Sequence, residues 1–281
     1  MGQRVSELKA EIKAATDRLK EAGLPSPRVD AEELAAHVAK VDRTQLHTVD
    51  SLDTAVYRRL VERRASREPL QHITGRAHFR GITVQVGPGV FVPRPETEVV
   101  AGWAIEALAG VRAPVVVDLC SGSGVLALSI AEEVPGAKVH AVELDQRAVA
   151  WLERNARGTR VSVHRADAAV ALPQLDGKVH AVVSNPPYVG EEELADVDVE
   201  VRDHDPLQAL TGGPDGLDVI RVIERRARRL LRRGGLLVIE HSDRQGTSAP
   251  ELVEAAGGWS DVADHKDLTG RDRFVTARWE G

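Results

Sequence analysis

Hydrophobic residues in the first quarter of the chain recur three or four positions apart, which is the spacing of one helix face. The first such run consists of Val5, Leu8, Ile12, Ala15 and Leu19. Gly23 and Pro25 end this run, and two further helical stretches follow at 30–41 and 52–65. No strand-like alternation interrupts them, so residues 1–75 are predicted to form a small helical domain.

The pattern changes in the next segment. Residues 79–86 and 90–92 are rich in β-branched and aromatic side chains, and Gly87-Pro88-Gly89 separates them. This arrangement predicts a β-hairpin in a linker that covers residues 76–93. Prolines on both sides of Arg94 then break the chain before a helix predicted at 96–108.

Strands and helices alternate through the rest of the chain. The predicted strands are 115–117, 138–143, 161–163, 179–184, 236–240 and 274–279, and the predicted helices between them are 125–133, 146–157 and 216–233. Such alternation predicts an α/β domain at 94–281 with a mainly parallel sheet and helices on both faces. Ligands of such sheets bind at the carboxyl ends of the strands.

Composition narrows the class of protein. Of the 281 residues, 42% are hydrophobic, enough for a packed core, and the formal net charge of −6 disfavours binding to a DNA backbone. The single cysteine, Cys120, excludes an intramolecular disulfide and fits a reducing cytoplasm. Charges within the first ten residues and the lack of a long apolar run indicate no signal peptide and no membrane span. We therefore expect a cytoplasmic protein.

A loop with two glycines follows the first strand of the α/β domain and leads directly into a helix. Its sequence is Asp118-Leu119-Cys120-Ser121-Gly122-Ser123-Gly124, in which the glycines let the backbone approach a ligand closely. Glu143 ends the next predicted strand, where a carboxylate can accept hydrogen bonds from both ribose hydroxyls of a nucleoside. The same glycines, with Ala127 and Glu143, also fit the dinucleotide fingerprint. A nicotinamide dehydrogenase is therefore an alternative, as is a turn that serves only tight packing.

Two carboxylates favour a cationic nucleoside over a dinucleotide. Asp118 precedes the glycines, where it would repel a pyrophosphate but suits a sulfonium or ammonium group. Asp167 follows the third predicted strand and can accept a hydrogen bond from an adenine amino group. The loop is therefore predicted to bind an adenine nucleoside that carries a sulfonium or ammonium group.

The tetrapeptide Asn185-Pro186-Pro187-Tyr188 follows the predicted strand 179–184 directly. An amide nitrogen is a poor nucleophile because its lone pair is delocalised, so a site that methylates it must fix the amide plane. The Asn185 side-chain oxygen and the Pro186 carbonyl can each accept one N–H of an NH2 group. The prolines stiffen the loop, and the Tyr188 ring can lie against the amide or the cationic methyl donor. An ordinary Asn-Pro turn is the alternative.

These segments, with several others, resemble the HemK-type protein-(glutamine-N5) methyltransferases over nearly the whole chain. The tetrapeptide alone is shared with adenine-N6 DNA methyltransferases, but its combination with Pro93-Arg94-Pro95-Glu96-Thr97-Glu98 is specific. The segments that carry the resemblance are 67–75, 91–98, 118–124, Glu143, 185–188, 206–218 and 270–273.

The resemblance implies a class I methyltransferase fold, which is a Rossmann-like, seven-stranded sheet, preceded by a helical domain. It implies S-adenosylmethionine as the cofactor and, as the substrate, the glutamine of the Gly-Gly-Gln loop in class 1 peptide chain release factors. Methylation of a ribosomal protein glutamine, methylation of adenine N6 and a non-catalytic cofactor-binding module are the alternatives. We expect a monomer that binds neither nucleic acid nor a membrane.

The resemblance also assigns site residues. Catalytic roles fall on Asn185, Pro186 and Tyr188. Cofactor binding falls on Asp118, Cys120, Ser121, Gly122, Ser123, Gly124, Glu143, Asp167, Ala168 and Asn185. Substrate binding falls on Phe91, Arg94, Pro95, Glu98, Asn185, Pro186, Pro187 and Tyr188. No metal site is implied.

Two of these positions depart from the commoner pattern of the family. Cys120 stands where many relatives have glycine, and we expect it to fit there with a negative φ. Ala168 stands where several relatives have an aromatic residue, so another apolar side chain is expected to cover the adenine ring.

Two charged segments are expected to be solvated. The acidic residues between 191 and 205 predict a mobile loop beside the tetrapeptide. The predicted helix 216–233 carries arginines on one face and turns an apolar face inward. Those arginines are Arg221, Arg225, Arg226, Arg228, Arg229, Arg232 and Arg233.

Overall fold

The computed structural model describes residues 2–281, with side chains described from residue 7 onward. Met1 and the side chain of Val5 lie outside the described residues. The chain divides into two compact units, one of Met1–Arg76 with Asp198–His204 and one of Ala77–Val197 with Asp205–Gly281. The domain boundaries predicted from the sequence stay predictions.

The first unit is helical, as the hydrophobic spacing predicts. Leu19, Leu34 and Tyr57 are fully buried in its core, and the Tyr57 hydroxyl donates a hydrogen bond of 3.0 Å to the Ala31 carbonyl. No helix among the described residues is long and apolar enough to cross a membrane. The helices are α1 (Gly2–Glu21), α2 (Pro27–Ala39), α3 (Thr54–Ala65) and α4 (Leu70–Thr74), with a 3-10 turn at Arg43–Thr48.

The second unit contains a seven-stranded sheet, which confirms the predicted fold class. The strands are β3 (Val115–Leu119), β4 (Lys138–Glu143), β5 (Val161–Arg165), β6 (Val179–Ser184), β7 (Leu231–Glu240), β8 (Trp259–Lys266) and β9 (Asp272–Trp279), after a separate hairpin of β1 (Arg76–Phe79) and β2 (Ile82–Gln85). Their order across the sheet is β5-β4-β3-β6-β7-β9-β8. The strands β3 to β7 are parallel, and β9 is antiparallel to both neighbours.

Helices cover both faces of the sheet because the strands are apolar on both sides. One face packs against α5 (Pro95–Ala107), α6 (Val125–Glu133) and α7 (Gln146–Ala156). The other packs against α9 (Asp218–Leu230) and α10 (Ser248–Ala256). A short helix, α8 (Val199–His204), belongs to the first unit.

The hairpin lies earlier in the chain than predicted. Its strands are 76–79 and 82–85, and residues 90–92 form no strand. The turn consists of Arg80 and Gly81, and Arg80 has a φ of 49°, which is uncommon for a residue other than glycine. The single glycine is a weaker turn signal than Gly87-Pro88-Gly89, on which the prediction rested. Gly87 instead packs against Trp151, where a Cβ would come within 2.7 Å of the indole ring.

The helix predicted at 216–233 is shorter, and the strand after it is longer. α9 ends at Leu230, and β7 begins at Leu231 and continues through Gly234-Gly235. Leu231 pairs with Val179 of β6, so contact with the neighbouring strand overrides the local helical pattern. The sequence also did not predict α8, α10 and β8.

Both charged segments are largely exposed, as predicted, but each contains a buried exception. Glu200 of α8 pairs with Arg64 at 3.0 Å, and the Asp205 side chain is buried. Arg226 of α9 is 4% exposed and donates a hydrogen bond of 2.7 Å to the Ala171 carbonyl and another to Asp176. Arg225 and Arg229, on the other side of the helix, are exposed as expected.

Candidate active site

The glycine loop and the tetrapeptide meet at one edge of the sheet. β3 and β6 are parallel neighbours, and Leu119 is paired with Ser184, the last residue of β6. The Ser184 hydroxyl donates a hydrogen bond of 2.6 Å to the Leu119 carbonyl. The segments that follow the two strands therefore leave the sheet side by side.

Glu143 is held by backbone amides at the end of β4. Its Oε2 accepts a hydrogen bond of 2.8 Å from the Gly122 amide. Its Oε1 accepts from the amides of Leu144 at 2.8 Å and Asp145 at 2.9 Å. Three donors fix the carboxylate. They leave one acceptor position, on Oε2, for a further donor. This geometry suits a carboxylate that accepts from a hydroxyl of a ligand.

The second glycine of the loop has no substitute. Gly124 has a φ of 91°, and a Cβ at this position would come within 2.5 Å of the Leu152 side chain. Only glycine combines this conformation with such close packing.

Asp118 is buried within β3 beneath the loop. Its Oδ2 accepts a hydrogen bond of 3.2 Å from the Ala127 amide in the first turn of α6, and burial raises the pKa of the carboxyl to about 8. Its Oδ1 has no hydrogen-bond partner among the described residues. A buried acceptor without a partner fits a ligand that brings a hydrogen-bond donor or a positive charge.

Asp167 and Ala168 follow β5 on the same edge of the sheet. The Asp167 carboxylate accepts a hydrogen bond of 2.8 Å from the Ala169 amide. Ala168 packs against the apolar core below the loop. Two apolar side chains that the sequence did not single out are exposed beside these acidic residues: Leu144, after Glu143, and Val170.

Cys120 does not have the expected negative φ. Its φ is 62°, in the left-handed region, where a Cβ crowds the backbone. The expectation was wrong because the loop has a left-handed residue at this position, where many relatives have glycine. The thiol is half-buried, and burial raises its pKa.

This conformation makes a testable difference between two variants at position 120. Cys120→Gly is expected to be more stable than Cys120→Val by about 2 kcal/mol, because a β-branched residue is strained at positive φ. Denaturant unfolding with equal m-values measures the difference. Equal midpoints for the two variants would contradict the left-handed conformation.

The side-chain amide of Asn185 is oriented by a residue of α5. Its Nδ2 donates a hydrogen bond of 3.0 Å to the Thr97 hydroxyl, so its Oδ1 is left as an acceptor. Thr97 is 1% exposed and lies in the first turn of α5. Sequence reasoning missed this residue, although it lies inside the segment 91–98.

Tyr188 is anchored at both its hydroxyl and its carbonyl. The hydroxyl donates a hydrogen bond of 3.3 Å to Oε1 of Glu240, the last residue of β7. Its carbonyl accepts a hydrogen bond of 3.1 Å from the Gln245 side chain. Burial raises the pKa of the phenol, so Tyr188 stays protonated. The last residue of the tetrapeptide is therefore fixed through both its side chain and its backbone.

The residues predicted to bind the substrate cluster at the start of α5. The Arg94 guanidinium donates a hydrogen bond of 2.8 Å to Asp205 and lies 5.0 Å from the centroid of the Phe91 ring. Pro95 begins the helix, and the Glu98 carbonyl accepts from Arg80 at 3.2 Å. Asp205 was not among the predicted site residues, because the sequence analysis placed it in a mobile loop. Among the described residues no cluster of side chains could hold a metal ion.

Family models cover most of the chain. Residues 12–75 match the PrmC N-terminal domain, and residues 81–201 match the methyltransferase small domain. Among solved structures, a 16S rRNA N2 G1207 methyltransferase from Thermus thermophilus has a TM-score of 0.53 at 24% identity, over 73% of this chain and 50% of that one. A methyltransferase from Pyrococcus furiosus also has a TM-score of 0.53, at 18% identity, over 72% of this chain and 90% of that one. These two likenesses concern the fold.

Curated relatives match over nearly their full length. The release factor glutamine methyltransferase of Streptomyces coelicolor is 57% identical over 96% of this chain and 98% of its own. A relative of the same name from Mycolicibacterium smegmatis is 49% identical over 97% of this chain and 98% of its own. A 4-amino-L-phenylalanine/4-methylamino-L-phenylalanine methyltransferase from Streptomyces pristinaespiralis is 44% identical over 94% of this chain and 92% of its own. With its class I fold, the chain thus belongs to the family of S-adenosylmethionine-dependent release factor glutamine methyltransferases.

Proposed function

We propose that the protein transfers a methyl group from S-adenosylmethionine to the side-chain amide nitrogen of the glutamine in the Gly-Gly-Gln loop of class 1 peptide chain release factors. The observation that carries this proposal is the Asn185 amide, whose nitrogen is engaged by Thr97 and whose oxygen is left to accept. An acceptor fixed in this way suits a planar NH2 group. The names of the most similar relatives support a release factor as the substrate.

The residues around the glycine loop fit the cofactor. Glu143 would accept from a ribose hydroxyl, and Asp167 would accept from the adenine amino group. The unpartnered Oδ1 of Asp118 would face the positively charged part of the ligand. Leu144 and Val170, which are 51% and 69% exposed, would cover the adenine ring in place of the aromatic residue that Ala168 replaces.

The chemistry requires little beyond positioning. Bound S-adenosylmethionine supplies a methyl group on a positively charged sulfur. The Asn185 oxygen and the Pro186 carbonyl would hold the two N–H groups and so orient the amide nitrogen for transfer. As the nitrogen takes the methyl group, the positive charge that develops on it would strengthen both hydrogen bonds. One amide proton then leaves to solvent.

The remaining site residues would shape the pocket for the glutamine side chain. Arg94, fixed by Asp205 and by the Phe91 ring, presents a rigid guanidinium beside the first turn of α5. Pro95, Glu98 and Pro187 would complete the walls. Tyr188 would lie against the flat amide, since its hydroxyl is anchored away from the loop.

An aromatic amine is the second candidate substrate. One relative at 44% identity is named for 4-amino-L-phenylalanine, whose amino group is also attached to an sp² carbon. The same two acceptors could hold it. Higher identity to relatives named for release factors favours the glutamine substrate.

The deciding experiment offers several acceptors to the enzyme with labelled S-adenosylmethionine: a release factor, ribosomal proteins, DNA and 4-amino-L-phenylalanine. We expect label in the release factor, and mass spectrometry of its tryptic peptide should place one added methyl on the glutamine. A release factor with that glutamine replaced by alanine is the control. Label confined to DNA, to a ribosomal protein or to the aromatic amine would overturn the proposal.

We further propose that the protein acts in the cytoplasm as a monomer. We also propose that it does not bind nucleic acid directly. The formal net charge of −6 supports the last point, because it disfavours binding to a phosphate backbone. Sedimentation equilibrium at working concentrations measures the mass, and that of two chains would contradict the monomer.

A further inference from the structure

Asn155 of α7 is hydrogen-bonded to two separate backbone segments. Its Nδ2 donates to the Ser123 carbonyl in the glycine loop at 2.9 Å. The same Nδ2 donates to the Gln85 carbonyl at 3.0 Å, and Oδ1 accepts from the Gln85 amide at 2.8 Å. One side chain thus joins the loop predicted to bind the cofactor to the last residue of β2.

The orientation of the Asn155 amide is determined by its neighbours. Its oxygen faces an N–H donor and its nitrogen faces two carbonyl acceptors, so the opposite orientation would lose all three hydrogen bonds. The two bonds to Gln85 have the form of an antiparallel β pair, in which the side-chain amide replaces a neighbouring strand. Asn155 therefore fixes the backbone of Gln85 as well as the carbonyl of the glycine loop.

The chain after Gln85 continues along α7. Trp151, one helical turn before Asn155, lies on the same face of the helix. Its ring packs against Gly87, and its Nε1 donates a hydrogen bond of 3.4 Å to the Pro88 carbonyl. Residues 85–89, which we call the connecting segment, are therefore held against α7.

The position of the connecting segment matters because of the residues that follow it. Phe91 and Arg94, which are predicted to bind the substrate, come directly after it in the chain. Leu152 of α7 packs against Gly124, on the cofactor side. The helix therefore contacts both the glycine loop and the chain that leads to the substrate pocket, and Asn155 is hydrogen-bonded to both.

We propose that Asn155 is a positioning residue of the methyl transfer, which holds the glycine loop and the connecting segment at a fixed distance from each other. This inference rests on the proposed roles of the loop in cofactor binding and of Phe91 and Arg94 in substrate binding. Asn155 would touch neither ligand. It would act through the backbone that it holds, since a misplacement of about 1 Å between methyl donor and acceptor can lower the rate about 100-fold.

Two variants at position 155 separate hydrogen bonding from packing. Asn155→Asp keeps the shape and the acceptor for the Gln85 amide, but it turns a carboxylate toward two carbonyls. Asn155→Ala removes all three hydrogen bonds. In both we expect the dissociation constant for S-adenosylhomocysteine to rise about tenfold and kcat at saturating cofactor to fall at least about tenfold. If the side chain only filled space, Asn155→Asp would behave like the wild type.

Arg160→Ala is the matched control. The Arg160 side chain also donates to a distant backbone carbonyl, that of Ala131 at 2.9 Å. This bond joins the residue before β5 to α6 and involves neither the glycine loop nor the connecting segment. Cofactor affinity and kcat should stay within about twofold of the wild type. An equal loss in Arg160→Ala and in the Asn155 variants would overturn the inference, because any lost hydrogen bond would then have the same effect.

Hydrogen exchange of the wild-type protein provides a second test that needs no variant. The Gln85 amide is hydrogen-bonded to Asn155, so its exchange reports on the connecting segment. Bound S-adenosylhomocysteine should slow exchange in a peptide that covers residues 82–89 by at least about threefold, because the loop and the segment are held together. In Asn155→Ala this slowing should disappear.

The outcomes separate the inference from the function on which it rests. Wild-type cofactor affinity and kcat in Asn155→Asp, or exchange at 82–89 that S-adenosylhomocysteine leaves unchanged, overturns the inference while the proposed function stands. A wild-type enzyme that binds S-adenosylhomocysteine but leaves the release factor unmethylated overturns the proposed function, whereas the affinities and exchange rates still decide on Asn155. If neither variant folds, as judged by circular dichroism, the exchange of the wild type decides.

Discussion

Asn185→Ala is expected to abolish methyl transfer while the cofactor still binds. The substitution removes the outward oxygen that would hold the substrate N–H, and it removes the hydrogen bond to Thr97 that fixes the side chain. Loss of one preorganised hydrogen-bonding group that acts on charge in the transition state lowers kcat by about 10²- to 10³-fold. The substrate amide also loses its fixed plane, which misaligns the nucleophilic nitrogen and lowers kcat further.

Single-turnover transfer to a release factor measures this effect, with S-adenosylhomocysteine titrated by calorimetry in the same preparation. The affinity for S-adenosylhomocysteine should change less than about threefold, because Glu143 and the glycine loop are untouched. Full transfer activity in Asn185→Ala would refute the amide-binding mechanism. Loss of affinity for S-adenosylhomocysteine would instead indicate that Asn185 serves chiefly to bind the cofactor.

Glu143→Ala is expected to weaken cofactor binding without slowing the chemical step. Glu143 is the acceptor for three backbone amides and the proposed acceptor for a ribose hydroxyl. A hydrogen bond to a charged group contributes about 1.5–3 kcal/mol, so the loss of even one should raise the dissociation constant about 10- to 100-fold. At saturating cofactor, kcat should stay near that of the wild type.

Calorimetry with S-adenosylhomocysteine gives the dissociation constant, and Glu132→Ala, which removes an exposed carboxylate from α6, is the control. Glu143→Gln should lie between wild type and Glu143→Ala because it keeps one acceptor oxygen. Unchanged affinity in Glu143→Ala would place the ribose elsewhere. Protection by NAD and none by S-adenosylhomocysteine in a thermal shift would revive the dehydrogenase alternative.

The sequence predicted best those elements whose local pattern and tertiary environment agree. β4 and β6 begin and end at the predicted bounds 138–143 and 179–184, because both strands lie between neighbours in a parallel sheet. β8 escaped prediction because its composition is polar and its pattern is half-exposed. It becomes a strand through pairing with β9 at the sheet edge.

The site could be predicted only as far as its motifs are contiguous in the chain. The glycine loop and the tetrapeptide carry their chemistry in local sequence. Thr97 and Glu240 do not, since their contacts join residues 88 and 52 positions apart. No local pattern reveals a threonine that bonds to an asparagine so distant. The backbone conformation could not be predicted either, because the residues around Cys120 do not indicate its φ.

The thiol of Cys120 has a consequence for the lifetime of the enzyme. A thiolate beside a sulfonium methyl donor is a strong nucleophile and would capture the methyl group itself. Burial, together with the negative charges of Glu143 and Asp118, raises the pKa of this thiol and keeps it protonated. If the loop binds S-adenosylmethionine as proposed, the protonated thiol would not take the methyl group from it. Its intact mass should stay constant during prolonged incubation with the methyl donor alone.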